Sequence, residues 1–251
     1  MTNTKKYPKG TALITGGAQR IGRELALKLA KIGYDLVIHY NYSVNEAGDL
    51  QREIENMGVK CTLMKADLLD KKQVEGLILK MEKISDWNLL INNASIFNRS
   101  KFILSDGDEM DKNFTIHVKV PSLLSRAMAK NCQKNSLKGN IINMVDKNIV
   151  RFDTKYFDYV LSKKSLAELT KMLAVQLAPE IRVNAIAPGF LNNVHGADSE
   201  DETAKLAQKI PLKKIATKLD IVSGMKYLLK NEFVTGEILF IDGGASLNHA
   251  G

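Results

Sequence analysis

Short apolar segments that read as strands alternate with longer amphipathic segments that read as helices along nearly all of the 251 residues, and this alternation constrains the fold most. Strands separated by helices need right-handed crossovers, which bury a parallel sheet between two layers of helices. The pattern predicts an α/β fold with a single Rossmann-type doubly wound parallel sheet of about seven strands and helices on both faces. The predicted strands are residues 11–15, 35–40, 59–65, 88–94, 140–145, 181–188 and 237–241, and the predicted helices are 20–32, about 44–57, 71–84 and 108–135, one that carries Tyr159 and runs to about 178, and about 219–229.

Length and composition favour one domain that spans residues 1–251. A hydrophobic content of 45% supports a full core, and no linker interrupts the pattern. The two cysteines, Cys61 and Cys132, lack the spacing of a metal site or a disulfide framework and therefore indicate a reducing cytoplasm. No apolar run reaches the ~20 residues of a membrane span, and the polar start of the chain is unlike a signal peptide. We expect a cytoplasmic protein without a metal site and without a membrane contact.

The net charge of +8 does not predict nucleic-acid binding, because the lysines are scattered singly and lack interleaved aromatic residues. Most of these lysines are interpreted as solvated surface. A positive field also raises the local concentration of anionic ligands, such as a phosphorylated cofactor or a glutamate-tailed substrate. The charge therefore fits a small-molecule partner better than a nucleic acid.

The segment TGGAQRIG, residues 15–22, joins the first predicted strand to the first helix. Gly16 and Gly17 permit a tight turn and a close approach of the backbone, and Gly22 permits close helix packing. The N-terminus of the helix offers unpaired N–H groups to a pyrophosphate. A glycine cluster alone is weak evidence, but its position in a βαβ unit predicts a dinucleotide site.

The second predicted strand ends in HYNYS, residues 39–43, where an acidic residue would bind the ribose hydroxyls of NAD. No carboxylate is present there to repel a 2′-phosphate, and Arg20, His39 and Ser43 supply donors that would bind one. The sequence therefore predicts NADPH as the cofactor. The alternative is that His39 and Tyr40 only finish the strand and pack.

Tyr159 and Lys163 lie four residues apart in YVLSK and therefore share one face of a helix. An ammonium beside a phenol would make the phenol a better acid near neutrality. Asp146 stands thirteen residues before Tyr159 and offers a carboxylate that can bind amidine-like nitrogens or pass a proton. The alternative for Asp146 is a cap on the turn VDKN. We expect Asp146, Tyr159 and Lys163 to form the catalytic group.

These motifs, together with Asp67 in ADL, NNAS at residues 92–95, IRVNAIAPGF and FVTGEILFIDGG, resemble the short-chain dehydrogenase/reductase family over essentially the whole chain. HYNYS, the Phe97 that follows NNAS, and Asp146 at a position where most members have serine resemble its pteridine reductase branch. That branch includes dihydromonapterin reductases that also reduce dihydrofolate. The resemblance implies an NADPH-dependent reductase of a dihydropterin or dihydrofolate.

The resemblance also assigns residues to the two ligands. Substrate binding falls to Ser95, Phe97, Asp146 and Tyr159, with the Phe97 ring stacked on the pterin opposite the nicotinamide. Asp67 and Leu68 would hold the adenine, and Pro188 with Gly189 would flank the nicotinamide amide. The full set implied for the cofactor is Gly16, Arg20, Ile21, Gly22, His39, Tyr40, Asn41, Ser43, Asp67, Leu68, Asn93, Ala94, Ser95, Tyr159, Lys163, Pro188 and Gly189.

Some features depart from the family pattern or leave the function open. His117 replaces an asparagine that organises the lysine through water, so the proton path is expected to be altered. A substrate lid is implied near residues 190–212, where His195 or Asn193 would reach a substrate, and the family implies a homotetramer, with a homodimer as the alternative. The competing functions are a 3-oxoacyl thioester or other carbonyl reductase and a non-catalytic nucleotide sensor.

Overall fold

The computed structural model describes residues 10–104, 107–152, 155–191 and 200–248. Within them, seven parallel strands form one sheet in the order β3-β2-β1-β4-β5-β6-β7. This sheet confirms the predicted fold class. The strands are β1 Thr11–Ile14, β2 Asp35–Tyr40, β3 Cys61–Lys65, β4 Trp87–Asn92, β5 Gly139–Met144, β6 Ile181–Pro188 and β7 Ile238–Ile241.

The helices cover both faces of this sheet. One buried cluster packs α1, α2 and α8 on one face, and a second cluster packs α3 and α5 on the other. Adjacent strand residues such as Leu13 and Ile14 belong to different clusters because side chains alternate across a strand. The helices are α1 Arg20–Lys31, α2 Val44–Glu55, α3 Lys71–Met81, α4 Asp108–Phe114, α5 Val120–Asn135, α6 Phe157–Gln176, α7 Glu200–Gln208 and α8 Lys218–Lys230.

The long helix predicted over residues 108–135 is interrupted. A π-helical turn, Thr115–Lys119, separates α4 from α5. Such turns widen a helix by one residue, and they occur frequently at functional sites. The turn contains His117, whose buried ring points between two serines, and no periodicity of apolar residues could have revealed it. Two short 3₁₀ segments, Phe102–Leu104 and Lys147–Val150, were also not predicted.

The predicted lid lies partly outside the described residues. Residues 192–199, which include Asn193 and His195, belong to no described range. The segment after them, which begins with the acidic residues EDE, forms α7. Within the described ranges, no helix has the length and apolar character needed to cross a membrane, and no group of histidine, cysteine or acidic residues could hold a metal ion.

Buried polar side chains tie α6 to the sheet at a fixed height. Asn92 Nδ2 donates to Asn143 Oδ1 (2.8 Å), and Asn143 Nδ2 donates to Thr170 Oγ1 (2.9 Å). Because an unpaired buried amide is costly, this ladder strongly favours one register between β4, β5 and α6. It places the first turns of α6 beside the carboxyl ends of the strands. Those ends meet where the strand order reverses between β1 and β4, which is where doubly wound sheets bind ligands.

Removal of a core side chain on α1 should destabilise the protein. Leu25 is fully buried between α1 and the sheet, so Leu25→Ala is expected to lower the free energy of unfolding by about 2–5 kcal/mol. The measurement is denaturant unfolding. Leu79, which is 60% exposed on α3, provides the control: Leu79→Ala should change stability by about 0.5 kcal/mol or less. Equal losses in the two variants would contradict the assigned core.

Candidate active site

The loop between β1 and α1 depends on glycine at two positions. Gly16 has φ +60°, a left-handed conformation that side chains rarely adopt, and a Cβ there would lie 3.0 Å from Ala94 Cα. A Cβ on Gly22 would lie 2.4 Å from the carbonyl oxygen of Gly16. The loop therefore folds tightly over the start of α1 and against the segment that follows β4.

Side-chain hydrogen bonds fasten this loop to the segment after β4. Thr15 Oγ1 accepts from the N–H groups of Asn93 (2.9 Å) and Ala94 (3.1 Å). Asn93 Nδ2 in turn donates to the carbonyl oxygens of Thr15 (3.0 Å) and Gly16 (2.9 Å). The β1–α1 loop and the segment after β4, both predicted to bind the cofactor, are thus hydrogen-bonded to each other where the strand order of the sheet reverses.

The N-terminus of α1 fits a bound phosphate. Its N-cap residue, Gln19, makes no side-chain cap, and no acidic residue lies in the first turn. By contrast, Asp70 caps α3 by accepting from two backbone N–H groups. Uncapped N–H groups at a helix N-terminus attract anions. Together with the glycine turn, they suit the pyrophosphate of a dinucleotide, as the sequence predicted.

Arg20 adopts a backbone conformation that costs energy. It has φ +51° and is exposed at the first position of α1, although residues other than glycine avoid this region. Gln19 Nε2 donates to Glu46 Oε1 (2.5 Å), so the N-termini of α1 and α2 adjoin. Nothing in the packing of Arg20 compensates for its strain, which directs attention to its side chain.

The prediction that His39 binds a 2′-phosphate is wrong. His39 is buried; its Nδ1 accepts from the Gly16 N–H (3.1 Å), and its Nε2 lies 3.0 Å from the carbonyl oxygen of Ala66. A carbonyl only accepts, so Nε2 carries the hydrogen and both nitrogens are engaged. Burial lowers the pKa of His39 to about 4, which keeps the ring neutral. His39 therefore holds the glycine loop by accepting from the Gly16 N–H, and its ring has no donor left for a phosphate.

The remaining residues predicted around the cofactor occupy the same end of the sheet. Ser43 is the N-cap of α2 and makes no side-chain cap. Asp67 Oδ1 accepts from the Leu69 N–H (2.9 Å), and the Leu68 side chain is buried in the core, so Leu68 can present only its backbone to an adenine. Gly189 follows β6, and its N–H donates to the Ile241 carbonyl (2.9 Å). The other predicted cofactor residues are also half-buried; these are Ile21, Tyr40, Asn41, Asn93, Ala94 and Pro188. The roles of these residues toward a dinucleotide stay predictions.

Asp146 and Tyr159 converge as the sequence predicted. Tyr159 Oη donates to Asp146 Oδ2 at 3.0 Å, across the thirteen residues that separate them. The other oxygen, Asp146 Oδ1, accepts from the Asn148 N–H (2.7 Å) and caps the 3₁₀ turn Lys147–Val150. The interpretation of Asp146 as a cap is therefore confirmed, and its second oxygen faces the Tyr159 phenol, whereas its role in binding a substrate or passing a proton stays a prediction.

The expected effect of Lys163 on the Tyr159 phenol does not appear. The pKa of Tyr159 is raised well above 10, first by burial and then by the charge of Asp146 and the hydrogen bond to it. Lys163 Nζ donates to the carbonyl oxygen of Met144 (2.8 Å) and lies 5.7 Å from the centre of the Tyr159 ring. Burial lowers the pKa of Lys163 to about 8, although Asp146 opposes this shift. The phenol therefore holds its proton at neutral pH, as a proton donor must.

Phe97 forms an aromatic group with two tyrosines. Its ring stacks on Tyr156 with centroids 4.3 Å apart and meets the edge of Tyr159 at 4.7 Å. Phe97 is 45% exposed, so part of the ring remains accessible at the site. The sequence did not single out Tyr156. Its position three residues before Tyr159 on the approach to α6 was the available signal.

His117 contacts two serine side chains. The family pattern had suggested a residue at this position that organises the lysine through water. Its Nε2 lies 2.9 Å from Ser95 Oγ, its Nδ1 lies 2.8 Å from Ser162 Oγ, and its ring meets the Tyr159 ring edge-on at 5.5 Å. Burial, followed by the charge of Lys163, lowers the pKa of His117 to about 2. Sequence reasoning missed Ser162, although it lies three residues after Tyr159 on the same helical face.

Comparisons with known proteins find relatives over nearly the whole chain. The sequence profile of a family described as enoyl-(acyl carrier protein) reductase matches residues 16–246. The uncharacterized oxidoreductase YohF of Escherichia coli is 32% identical over 94% of this chain and 95% of its own length, and the 3-oxoacyl-[acyl-carrier-protein] reductase FabG of Staphylococcus epidermidis is 29% identical over 93% and 98%.

A solved structure extends the likeness to three dimensions. The structure of FolM alternative dihydrofolate reductase 1 from Brucella canis, complexed with NADP, superposes with a TM-score of 0.89 at 30% identity and covers 98% of each chain. The matched sequence span includes the glycine loop, Asp146, Tyr159 and Lys163, which the fold brings to one end of the sheet. The chain is an oxidoreductase that belongs to the short-chain dehydrogenase/reductase family.

Proposed function

We propose that this chain is an NADPH-dependent reductase that converts a dihydropterin or dihydrofolate, such as dihydromonapterin, to the tetrahydro form. The observation that carries the proposal is the hydrogen bond from Tyr159 Oη to Asp146 Oδ2. A carboxylate only accepts hydrogen bonds, so it suits the amino and ring N–H groups of a pterin and opposes the oxygen of a ketone. The likeness to FolM of Brucella canis supports the same substrate class.

The proposed chemistry divides between cofactor and protein. When bound, the nicotinamide supplies a hydride to a ring carbon of a carbon–nitrogen double bond. Tyr159 supplies the proton for the adjacent nitrogen from Oη, which the raised pKa keeps protonated until transfer. Asp146 holds the substrate through the substrate's N–H groups, and the Met144 carbonyl holds the Lys163 ammonium 5.7 Å from the centre of the Tyr159 ring. Solvent then returns the proton to Tyr159.

Arg20 supports the preference for NADPH over NADH. Its side chain begins at the turn between β1 and α1, and no acidic residue ends β2. With His39 engaged below the loop, phosphate recognition falls to Arg20 and to the uncapped N-terminus of α2 at Ser43. A strained arginine at a position that glycine would occupy without cost fits a residue kept for its charge.

A carbonyl reductase is the second candidate, because the FabG relative named above is a 3-oxoacyl-[acyl-carrier-protein] reductase that aligns with 93% of this chain. In such a site a hydroxyl at position 146 would donate to the carbonyl oxygen. Asp146 cannot donate while ionised. The residue at this position therefore divides the two functions.

Substitution of Asp146 should change the substrate and not merely the rate. Asp146→Ser is expected to lower kcat/KM for a dihydropterin by about 100-fold or more, because the acceptor for its N–H groups is lost. Turnover of an acetoacetyl thioester should be unchanged or raised. Tyr159→Phe is the control, and it should abolish both reactions because both need the phenol proton. Equal losses for both substrates in Asp146→Ser would refute the pterin assignment.

Arg20→Gly should increase stability while weakening NADPH use. Glycine relieves the left-handed strain of about 1 kcal/mol, and loss of the guanidinium should raise KM for NADPH by about 10- to 100-fold with little change for NADH. Oxidation rates for the two cofactors and thermal unfolding provide the measurements. Ser136, with φ +54° at the end of α5, is the matched control: Ser136→Gly should stabilise without any change in KM. An unchanged NADPH KM in Arg20→Gly would contradict the assignment.

We also propose that the protein assembles as a homotetramer through α6. The apolar side chains of α6 are spread around the helix and are not confined to one face. Two of them, Met172 and Val175, are 66% and 78% exposed. They lie beside a surface groove that Met172 and Val118 help to line. A second copy of the same helix would cover them through a symmetric contact, which joins two chains, and a second symmetric contact elsewhere on the surface would join two such pairs into the tetramer.

Light scattering on a sizing column should therefore report four chains for the unmodified protein. Met172→Glu combined with Val175→Glu should lower the mass to a dimer or monomer, because charges would be buried in the interface. Leu79→Glu on α3, an equally exposed leucine, should leave the mass unchanged. A monomeric unmodified protein would overturn the proposal.

A further inference from the structure

The buried ring of His117 makes hydrogen bonds that the proposed reaction does not use. It lies in the π-helical turn, with Ser95 Oγ at 2.9 Å from Nε2 and Ser162 Oγ at 2.8 Å from Nδ1. Ser95 is exposed at the site, whereas His117 and Ser162 are buried behind it. The histidine therefore reaches the substrate side of the site only through Ser95.

The partners of the ring determine its tautomer. The Ile96 N–H points to Nε2 at 3.4 Å, and a backbone N–H can only donate. Nε2 therefore carries the lone pair, and the hydrogen of the neutral ring is on Nδ1. Ser162 Oγ accepts that hydrogen, because its own hydrogen goes to the carbonyl oxygen of Tyr159 (2.8 Å). Ser95 Oγ lies 2.9 Å from Nε2 and 3.3 Å from the carbonyl oxygen of Ile96, and its hydroxyl hydrogen goes to Nε2 as the nearer acceptor.

This network is closed and does not form a proton path. It runs from Ser95 through His117 and Ser162 to the backbone carbonyl of Tyr159, which cannot pass a proton on. Burial, together with the charge of Lys163, keeps the pKa of His117 at about 2, so the ring stays neutral over the working range of pH. The expectation that His117 reroutes the proton path is replaced by a fixed orientation of Ser95.

We propose that His117 is a positioning residue that sets substrate selectivity by holding the Ser95 hydroxyl as a hydrogen-bond acceptor toward the substrate. This inference rests on the proposed function, whose substrate class it deepens. With the Ser95 hydrogen committed to Nε2, the oxygen presents lone pairs to the site. Asp146 presents only acceptors as well, so two acceptors accompany the single Tyr159 donor.

That arrangement distinguishes substrates by their donors. A flat heterocycle with an amino group and ring N–H groups finds acceptors in Ser95 and Asp146 and a proton donor in Tyr159. A ketone brings only an oxygen, which would face the lone pairs of Ser95. Without His117 the Ser95 hydroxyl is free to turn and can present its hydrogen to a carbonyl oxygen. The fixed orientation of the Ser95 hydroxyl therefore opposes carbonyl substrates and favours substrates with N–H donors.

The tautomer can be measured directly on the whole enzyme by ¹⁵N correlation spectra of the histidine rings. His117 should appear as the Nδ1–H tautomer and stay so at pH 5, whereas His39 should appear as the Nε2–H tautomer and serve as an internal reference. The spectrum of His117→Phe assigns the His117 signals. An Nε2–H or doubly protonated His117 would contradict the inferred orientation of the Ser95 hydroxyl, whichever substrate the enzyme uses.

Two variants then test selectivity. His117→Phe keeps an aromatic ring against Tyr159 but removes both nitrogens, and Ser162→Ala removes the acceptor of Nδ1–H, so only the long contact from the Ile96 N–H still favours that tautomer and Ser95 is oriented less firmly. Each should lower the ratio of kcat/KM for dihydropterin to kcat/KM for an acetoacetyl thioester by about tenfold, the size of one neutral hydrogen bond. Ser165→Ala, which removes a hydroxyl bonded to Leu161 O on the same helix, should leave the ratio unchanged.

The outcomes separate this inference from the proposed function. A parallel loss on both substrates means that His117 only supports the fold, and it overturns the inference while the pterin assignment stands. If the unmodified enzyme reduces no dihydropterin, the proposed function fails. The inference then rests on the tautomer and on a rise in carbonyl turnover in Ser162→Ala, and an Nδ1–H ring without that rise overturns it.

Discussion

The hydrogen bond from Tyr159 to Asp146 joins the first turn of α6 to the segment after β5, and the chemistry of the site depends on it. It exists because the buried ladder from Asn92 through Asn143 to Thr170 fixes the height of α6 against the sheet. Burial and the neighbouring carboxylate together raise the pKa of the phenol. The result is a protonated donor beside an acceptor, and the proposed reduction of a carbon–nitrogen double bond rests on this pair.

Two buried histidines support the two halves of the site. His39 lies below the glycine loop and holds it through the Gly16 N–H, and His117 lies behind the substrate side and holds Ser95. Burial lowers the pKa of both rings far enough that neither ionises near neutrality. Each therefore works through the direction of its hydrogen bonds and not through its charge. The two rings carry their hydrogens on opposite nitrogens, because one accepts from a glycine N–H at Nδ1 and the other accepts from the Ile96 N–H at Nε2.

Strain and a missing cap coincide at the start of α1, although α6 also begins without a side-chain cap and Ser136 is also left-handed. Arg20 keeps a left-handed conformation, and α1 begins without a side-chain cap, although α3 and α8 are capped by their own residues. A structure selected for stability alone would have removed both features. Their presence at the switch point of the sheet fits an anionic ligand that compensates for them when it binds.

The alternation of strands and helices indicated the α/β class from the sequence, because strands joined through helices form a parallel sheet that helices cover. The spacing of Tyr159 and Lys163 and the glycine loop likewise identified the candidate site, because both are local patterns. Tertiary structure decided what local patterns do not contain: that His39 faces inward, that burial and Asp146 outweigh Lys163 in setting the phenol pKa, and that a π-helical turn aims His117 at Ser95. Hydrogen-bond partners and burial arise from residues distant in the chain, and for that reason only the folded structure assigns them.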